Sequence, residues 1–428
     1  MNWGVSKLKP FWRALESRNY RLFFAGQAIS LIGTWMTQIA TIWLVYRLTN
    51  SAFLLGLVGF SSQIPSFVLG PFGGILVDRW NRHQILIVTQ CLAMLQSLAL
   101  AGLALTGLID IWHIILLSLF QGLINAADAP ARQAFVTEMV EKKENLGNAI
   151  ALNSSMFNGA RLVGPAIAGL LIASVGAGVC FLIDGLSYIA VIAGLLAMRL
   201  NPKKPAPHTA NVWQRLKEGF NYTFGSLPIR SILQLIALIS FMGMQYTVLS
   251  PIFATKILHG GAETLGFLMT ASGVGALIGG IYLSSRQSVL GLGKVVAYSP
   301  ASLGIALIIF SFSRVLWLSL LMMVVIGLST ILQIASSNTI VQTIVDDDKR
   351  GRVMSFYTMA FLGTLPLGNL VAGSLANHIG APITLAIGGA FCILGSFWFA
   401  KQLPILRLFV QPIYQKIGLL PQAHSKTR

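Results

Sequence analysis

The stretch Gly159-Ala-Arg-Leu-Val-Gly164-Pro-Ala-Ile-Ala-Gly169 returns in outline 204 residues later as Gly363-Thr-Leu-Pro-Leu-Gly368-Asn-Leu-Val-Ala-Gly373. The same offset pairs Gly176 with Gly380 and Gly185 with Gly389. Glycine makes up 42 of the 428 residues, so five matches in one register within 27 positions are not expected by chance. Small residues at helical spacing let helices pack closely in lipid. The matches therefore indicate that the two halves of the chain repeat one helical structure.

The composition around this repeat is that of a membrane protein. Hydrophobic residues form 55% of the chain and charged residues only 10%, with a mean hydropathy of +0.74, whereas soluble domains are about a quarter charged. Apolar runs of about 20 residues cross a bilayer, and in lipid they must be helices. We predict an all-α integral membrane protein with twelve transmembrane helices in two pseudo-symmetric six-helix bundles. The runs lie near 22–46, 54–76, 85–107, 112–135, 148–174, 179–200, 230–253, 264–284, 295–312, 316–340, 352–376 and 381–401.

The longest polar interruption, residues 201–229, divides these helices six and six. The predicted domains are a cytoplasmic N-terminal segment (1–21), an N-terminal bundle (22–200), a cytoplasmic central linker (201–229), a C-terminal bundle (230–402) and a cytoplasmic tail (403–428). We expect the tail to contain an interfacial amphipathic helix followed by a disordered basic end.

The basic residues behind the net charge of +17 are distributed unevenly between the two sides of the predicted membrane. Of the 30 Lys and Arg residues, 26 lie in segments on the side of the two termini. The opposite side carries only Arg47, Lys256 and Arg314. Because cytoplasmic loops collect Lys and Arg, both termini are predicted to be cytoplasmic. The basic residues are thus a topology signal, and we predict no nucleic-acid partner.

Polar residues form stripes on four of the apolar helices. In helix 4, five of them recur at steps of three and four and so share one face. The predicted stripes comprise Gln27, Ser30, Thr34, Gln38 and Thr41 in helix 1; Ser118, Gln121, Asn125, Asp128 and Arg132 in helix 4; Gln234, Phe241, Gln245 and Tyr246 in helix 7; and Ser329, Gln333 and Ser336 in helix 10. They either line a hydrated cavity or hydrogen-bond neighbouring helices as packing contacts.

Three ionisable residues, Asp128, Arg161 and Asp184, lie deep inside predicted helices. Charged groups in the bilayer are costly, which makes them functional candidates. Asp128 has two open pairings, one with Arg161 and one, as a gate, with Arg79 or Arg82 of the loop after helix 2. Asp128 is also the best candidate for a proton carrier, while Arg161 is suited to an anionic substrate. Asp184 lies two turns from the outer end of helix 6, where we expect water to reach it.

The sequence carries no sign of an enzyme. It has no phosphate-binding Gly-x-x-x-x-Gly-Lys-Ser/Thr loop, so ATP is not the direct energy source. The six His residues form no ligand pairs, and the three Cys residues show no metal-ligand spacing. We predict neither a catalytic site nor a cofactor nor a metal site.

The segment Gly74-Ile-Leu-Val-Asp78-Arg79-Trp80-Asn81-Arg82 resembles the signature loop of the major facilitator superfamily. Three further stretches resemble its twelve-helix efflux branch, which includes enterobactin exporters and macrolide efflux proteins. They are Gly33-Thr-Trp-Met36, Asn125-Ala-Ala-Asp128-Ala-Pro-Ala-Arg132-Gln-Ala134 and Asn158-Gly-Ala-Arg161-Leu-Val-Gly164-Pro165. The resemblance covers about residues 17 to 400. It implies that the loop residues Gly74, Asp78, Arg79 and Arg82 act in gating and that helices 1, 4, 7 and 10 line a central cavity. Asn158, the first residue of the third of these stretches, is also expected to line the cavity.

The resemblance further implies a monomeric secondary transporter in a prokaryotic inner membrane. The expected mechanism is alternating access, in which two bundles rock about a central site. The expected activity is proton-coupled efflux of a small amphipathic compound, either siderophore-like or drug-like. The alternatives are a lipid or lysolipid transporter, an importer of the same fold, and a non-transporting receptor or scaffold.

Overall fold

The computed structural model describes residues 12–199, 212–286 and 288–416, without the side chains of residues 71–79, 143, 212–216 and 416. The described residues form helices and contain no strand. Twelve of these helices are long and apolar enough to cross a membrane, which confirms the predicted fold class. The predicted end of helix 6 at residue 200, and the parts of the predicted N-terminal segment, linker and tail within 1–11, 201–211 and 417–428, lie outside the described residues.

We number the twelve spanning helices in chain order. They are α1 (Arg18–Thr49), α2 (Ala52–Arg79), α3 (Arg82–Leu105), α4 (Ile111–Met139), α5 (Leu146–Val175), α6 (Ala177–Leu196), α7 (Leu227–Gly243, Tyr246–Ile252 and a π turn Phe253–Ile257), α8 (Ala262–Ser284), α9 (Leu292–Phe312), α10 (Leu316–Ile344), α11 (Arg350–Leu362 and Thr364–Ile379) and α12 (Ala381–Lys416). Short 3₁₀ turns, Arg13–Glu16 and Lys143–Asn145, precede α1 and α5. A further helix, Val212–Gly225, lies in the linker.

One pair of repeated glycines ends equivalent helices. Gly176 follows α5 with a φ of +90°, and Gly380 follows α11 with a φ of +85°. Only glycine adopts this backbone region without a steric cost from a side chain. Each of the two helices can therefore turn directly into the next one.

A second pair sets equivalent helix contacts. A Cβ at Gly164 would lie 2.5 Å from the Cβ of Trp35 in α1. A Cβ at Gly368 would lie 2.4 Å from the carbonyl oxygen of Phe241 in α7. The absence of a side chain thus lets α5 approach α1 and α11 approach α7, as the sequence repeat predicts.

The third pair repeats the pattern one helix further on. A Cβ at Gly185 of α6 would lie 2.7 Å from the Leu98 side chain of α3. A Cβ at Gly389 of α12 would lie 2.6 Å from the Gly304 carbonyl oxygen of α9. The two halves therefore share internal packing as well as sequence.

The described residues form two compact units. The first comprises Met1–His208 with Ser250–Thr270, and the second comprises Thr209–Leu249 with Ala271–Arg428. Within the first unit, α5 and the start of α8 touch through Gly169 and Gly266, whose added Cβ would lie 2.7 Å from the Pro165 carbonyl oxygen. The segment Ser250–Thr270 lies inside 230–402, the range predicted for the C-terminal bundle. The division of the chain into domains stays a prediction.

The linker helix packs within the second unit. Arg352 at the start of α11 donates to Glu218 at 2.9 Å, and the Tyr222 hydroxyl donates to Asp346 at 3.1 Å. The ring of Phe356 meets Phe220 and Phe224 edge to face at 6.0 and 6.1 Å. Polar and aromatic contacts together hold this helix beside the ends of α10 and α11.

The last helix is longer than predicted. The apolar run ends near Lys401, but α12 continues as one helix to Lys416 and contains Pro404 and Pro412. Residues 403–416 are thus a direct continuation of a spanning helix. The remaining tail, residues 417–428, lies outside the described residues.

Candidate functional site

Asp128 lies at the centre of a polar cluster in the first unit. It is 5% exposed, and its Oδ1 accepts hydrogen bonds from Thr89 and from Gln90 Nε2 of α3, both at 2.8 Å. Its Oδ2 accepts from Arg132, one turn further along α4, through Nε at 3.1 Å and through the adjacent guanidinium nitrogen. A buried charge needs a partner of opposite sign and hydrogen bonds for its lone pairs. Asp128 has both.

This arrangement differs from the pairings expected for Asp128. Arg161 forms no ion pair with Asp128 in the described part of the chain, and its guanidinium lies over the ring of Trp35 instead. Arg82 binds Glu138 near the end of α4 at 2.7 Å. The i, i+4 spacing puts Arg132 next to Asp128 on the same helix face. That short-range pair forms in place of a pair with Arg161 or Arg82, while the pairing with Arg79 stays a prediction because its side chain lies outside the described part of the structure.

The gating loop is described in part. Gly74, Asp78 and Arg79 lie in residues 71–79, so their side chains are outside the described part of the structure. The Arg82 side chain is 31% exposed and Glu138 27%, where their ion pair joins the start of α3 to α4. The gating role of the loop therefore stays a prediction, and Arg82–Glu138 is the contact that can be tested.

Asp184 is enclosed, contrary to the expectation that water reaches it. It is 1% exposed, and it accepts hydrogen bonds from Ser97 of α3 at 2.6 Å and Thr37 of α1 at 3.0 Å. Its Oδ1 faces Gly33, where an added Cβ would lie 2.7 Å away, and this oxygen has no hydrogen-bond partner among the described residues. Contacts with α1 and α3 thus enclose this carboxyl although it lies only two turns from the end of α6.

Arg161 belongs to a cation–aromatic group on α1 and α5. Its guanidinium carbon lies 5.9 Å from the centroid of the Trp35 ring. Phe157, 48% exposed, meets Trp35 edge to face at 5.7 Å, and Asn158 follows it in α5. A cation above an aromatic face is stabilised by the ring quadrupole while its remaining N–H groups stay free to donate. The group can therefore bind an anionic or aromatic molecule.

The predicted cavity residues separate into two sets by exposure. One set is exposed or half-buried, and the other is buried. The first set contains Thr34, Gln38, Gln121, Asn125, Asn158, Gln234 and Phe241. The second contains Gln27, Ser30, Gln245, Tyr246, Ser329, Gln333 and Ser336. The side chains of the first set are thus at least partly exposed in this conformation, whereas those of the second are enclosed by protein.

Gln245 supports a break in α7. Helical structure stops after Gly243 and resumes at Tyr246, which frees backbone carbonyls inside an apolar helix. Gln245 Nε2 donates to the carbonyl oxygens of Ser240 at 3.1 Å and Phe241 at 2.7 Å. Such breaks persist in membranes only where other groups satisfy the freed backbone. This contact gives Gln245 a structural role beside its predicted place in the cavity.

The buried polar residues of α10 bond inside the second unit. Ser329 donates to Ser302 of α9 at 2.9 Å, and Gln333 Nε2 donates to Ser337 at 3.2 Å. Gln333 Oε1 and Ser336 Oγ have no hydrogen-bond partner within the described ranges. Buried polar atoms are usually paired. Ser329 thus acts as a packing contact here, whereas Gln333 and Ser336 keep capacity for a further partner.

Sequence reasoning missed several residues of these groups. Thr89 and Gln90 hold Asp128, Ser97 holds Asp184, and Trp35 supports Arg161. Gln90 and Ser97 are seven residues apart, which is two helical turns, so a polar stripe on α3 was available as a signal. Trp35 belongs to the motif Gly33–Met36, and its position in the sequence gives no separate indication of a contact with Arg161.

Two sequence-related halves of membrane-spanning helices, with polar and charged groups inside them, define a membrane transport protein. A family model described as transmembrane secretion effector matches residues 9–407, and the chain belongs to this family of the major facilitator superfamily. The chain is therefore a multi-pass membrane transporter and not an enzyme.

Individual relatives agree with this assignment. The chain is 28% identical to the staphyloferrin A transporter of Staphylococcus aureus over 91% of this chain and 98% of that protein. It is 26% identical to the multidrug efflux pump Tap of Mycolicibacterium fortuitum over 88% of this chain and 93% of that protein. The crystal structure of the nucleoside transporter NupG superposes with a TM-score of 0.67 at 14% identity, over 90% of this chain and 98% of that one. This last likeness concerns the fold alone.

Proposed function

We propose that this transporter exports a small amphipathic compound with anionic groups, siderophore-like or drug-like, by proton-coupled alternating access. The observation that carries the proposal is the half-buried Arg161 beside the partly exposed Phe157 and the ring of Trp35. A fixed cation with aromatic edges offers charge-assisted hydrogen bonds and apolar contact to one molecule. The named relatives, a staphyloferrin A transporter and a multidrug efflux pump, support this substrate range.

The substrate assay uses proteoliposomes of the full-length protein and a panel of carboxylate siderophores, catecholate siderophores, macrolides and lysolipids. Losing one charge-assisted hydrogen bond costs about 1.5–3 kcal/mol, so Arg161→Gln should weaken uptake affinity for the anionic compounds about tenfold to hundredfold. Arg161→Lys keeps the charge but loses the planar stack, so it should show a smaller loss. Arg47→Gln, an exposed cation at the end of α1, is the matched control. Wild-type affinity in Arg161→Gln for every transported compound would contradict the proposal, and transport of lysolipids alone would favour the lipid-transporter alternative.

For coupling, we assign the proton to Asp128. Protonation would remove the charge that holds Arg132, so the pair can open and close with proton binding. Asp128→Asn should abolish uptake driven by a pH gradient and preserve substrate exchange across the membrane without a gradient. Asp184→Asn, a second buried carboxyl without an ion pair in the described chain, should keep gradient-driven uptake. Gradient-driven uptake by Asp128→Asn would exclude Asp128 from coupling.

The gate and the orientation complete the proposal. The loop after α2 acts as the gate, with Arg82–Glu138 as one of its contacts. Both termini face the cytoplasm of a prokaryotic inner membrane, since 26 of 30 basic residues lie on that side. Fluorescent-protein fusions at each terminus should fluoresce, because such proteins fold in the cytoplasm; a dark, fully inserted fusion would reverse the assigned orientation. Accumulation of substrate inside inside-out vesicles establishes export, and the reverse direction would indicate an importer.

A further inference from the structure

A cavity of about 260 Å³ lies at one end of the spanning helices of the second unit. Its walls come from the first turn of α7, the loop before α9, the last turns of α10 and the extension of α12. The apolar part of the lining includes Ile232, Phe399, Leu403 and Leu406. Ligand pockets in proteins are usually about 300 Å³ or larger, so this cavity holds only part of a larger molecule.

The charge around the cavity has one sign. Lys294 of α9 and Arg407 of α12 belong to its lining, and both are exposed. No Asp or Glu is among the lining residues of the described chain. Arg286 adds a third cation to the adjoining loop, because it donates to the carbonyl oxygen of Leu290, a lining residue, at 2.7 Å. An anionic group at the mouth would meet cations without a competing carboxylate.

The α12 extension shows that the cavity lies at the membrane. Leu403, Leu406 and Val410 point into the cavity, at spacings of three and four residues. Ile405, Leu408 and Phe409 are 50%, 69% and 55% exposed on the other faces of the same helix. A helix that is apolar on several sides is buried in protein or lipid. The cavity thus opens where a bilayer covers its surroundings.

We propose that this cavity binds one anionic phospholipid of the surrounding membrane, with the phosphate on Lys294 and Arg407 and the first part of an acyl chain against the apolar walls. Basic pockets between transmembrane helices at the membrane surface bind anionic lipid head groups. The lipid is a bound partner at a site separate from the Arg161 group, and it joins α9 to the end of α12. The proposal does not rest on the identity of the transported compound.

The test measures lipid binding to the purified full-length protein by native mass spectrometry. Phosphatidylglycerol is compared with phosphatidylcholine of identical chains, and glycerophosphate serves as the head group without a chain. We expect phosphatidylglycerol to bind at least tenfold more tightly than either. Each cation near an anionic lipid contributes roughly a fivefold effect, so Lys294→Gln/Arg407→Gln should weaken phosphatidylglycerol binding about thirtyfold.

Two further variants separate this site from general surface charge. Arg230→Gln/Lys401→Gln removes two exposed cations from the same end of α7 and α12 outside the cavity, and should change binding less than threefold. Leu403→Trp fills the cavity and should weaken binding with both cations intact. Equal binding of the two phospholipids, equal losses in the two double variants, or unchanged binding in Leu403→Trp would each overturn the proposal. Tight binding of glycerophosphate would assign the site to a soluble anion instead.

Discussion

Replacing Arg132 by Gln leaves the Asp128 carboxylate with hydrogen bonds from Thr89 and Gln90 but without its cation. Breaking a buried ion pair by removing one partner costs about 3–5 kcal/mol. The Arg132 side chain is 28% exposed, so water screens part of the attraction, and we expect the lower end, about 3 kcal/mol.

The reciprocal substitution should cost less. In Asp128→Asn the amide oxygen still accepts from Thr89 and Gln90, and Arg132 reaches solvent, so we expect a loss of about 1 kcal/mol. The double variant Asp128→Asn/Arg132→Gln buries no unpaired charge and should also lose about 1 kcal/mol. The coupling energy between the two positions is then about 3 kcal/mol.

These values can be measured by unfolding the full-length protein with sodium dodecyl sulfate in mixed micelles, followed by tryptophan fluorescence. The four proteins of the cycle are compared at one protein and detergent concentration. Additive losses, with a coupling energy below about 0.5 kcal/mol, would refute the conclusion that this ion pair stabilises the buried carboxylate. A double variant as unstable as Arg132→Gln would refute it equally.

Five other substitutions probe the remaining groups. Asp184→Leu leaves the hydroxyls of Ser97 and Thr37 without their acceptor and should lower the free energy of unfolding by about 1–3 kcal/mol, whereas Asp184→Asn should lose less; the opposite order would show that these hydrogen bonds do not matter. Gly368→Ala places a Cβ against the backbone of α7 and should lower the free energy of unfolding by about 1–3 kcal/mol. Its control, Gly159→Ala, meets no neighbour within 4 Å and should be neutral or stabilising. Equal effects of the two variants on thermal unfolding would contradict the packing argument. Glu138→Gln should change unfolding by less than about 1 kcal/mol, since the ion pair with Arg82 is partly exposed, yet slow transport; a wild-type rate would remove this pair from the gate.

The fold was accessible from the sequence because its signals are local or repeated. Each spanning helix needs about 20 apolar residues, and the glycine repeat marks equivalent contacts such as Gly164 and Gly368. The end of α12 was not predicted because the charged residue Lys401 interrupts its apolar run. The helix stays largely apolar beyond it through Ile405, Leu408 and Phe409. Arg407, Pro404 and Pro412 interrupt this pattern, so residues 403–416 do not form a continuous apolar run.

The site was only partly accessible because its contacts join distant segments. Asp128 and Arg132 are four residues apart, so the helix-face pattern places them side by side, but the expected partners of Asp128 were Arg161, Arg79 and Arg82. The contacts of Asp184 come from Thr37 and Ser97, which lie far away in the sequence, so its burial could not be read from its position in α6. Arg161 is held by Trp35 of another helix, and an interaction between a cation and a ring leaves no spacing pattern along the chain.

The break at Met244–Gln245 gives α7 a point at which it can act as a hinge. Regular helical hydrogen bonding is already interrupted there, so bending the helix at this point disrupts fewer backbone hydrogen bonds than bending it elsewhere. Bending there would break the two hydrogen bonds from the Gln245 amide to the carbonyl oxygens of Ser240 and Phe241, each of which contributes about 1 kcal/mol net. Since these two hydrogen bonds are weak beside the many backbone bonds of a continuous helix, we expect α7 to bend more easily at this break than elsewhere along its length.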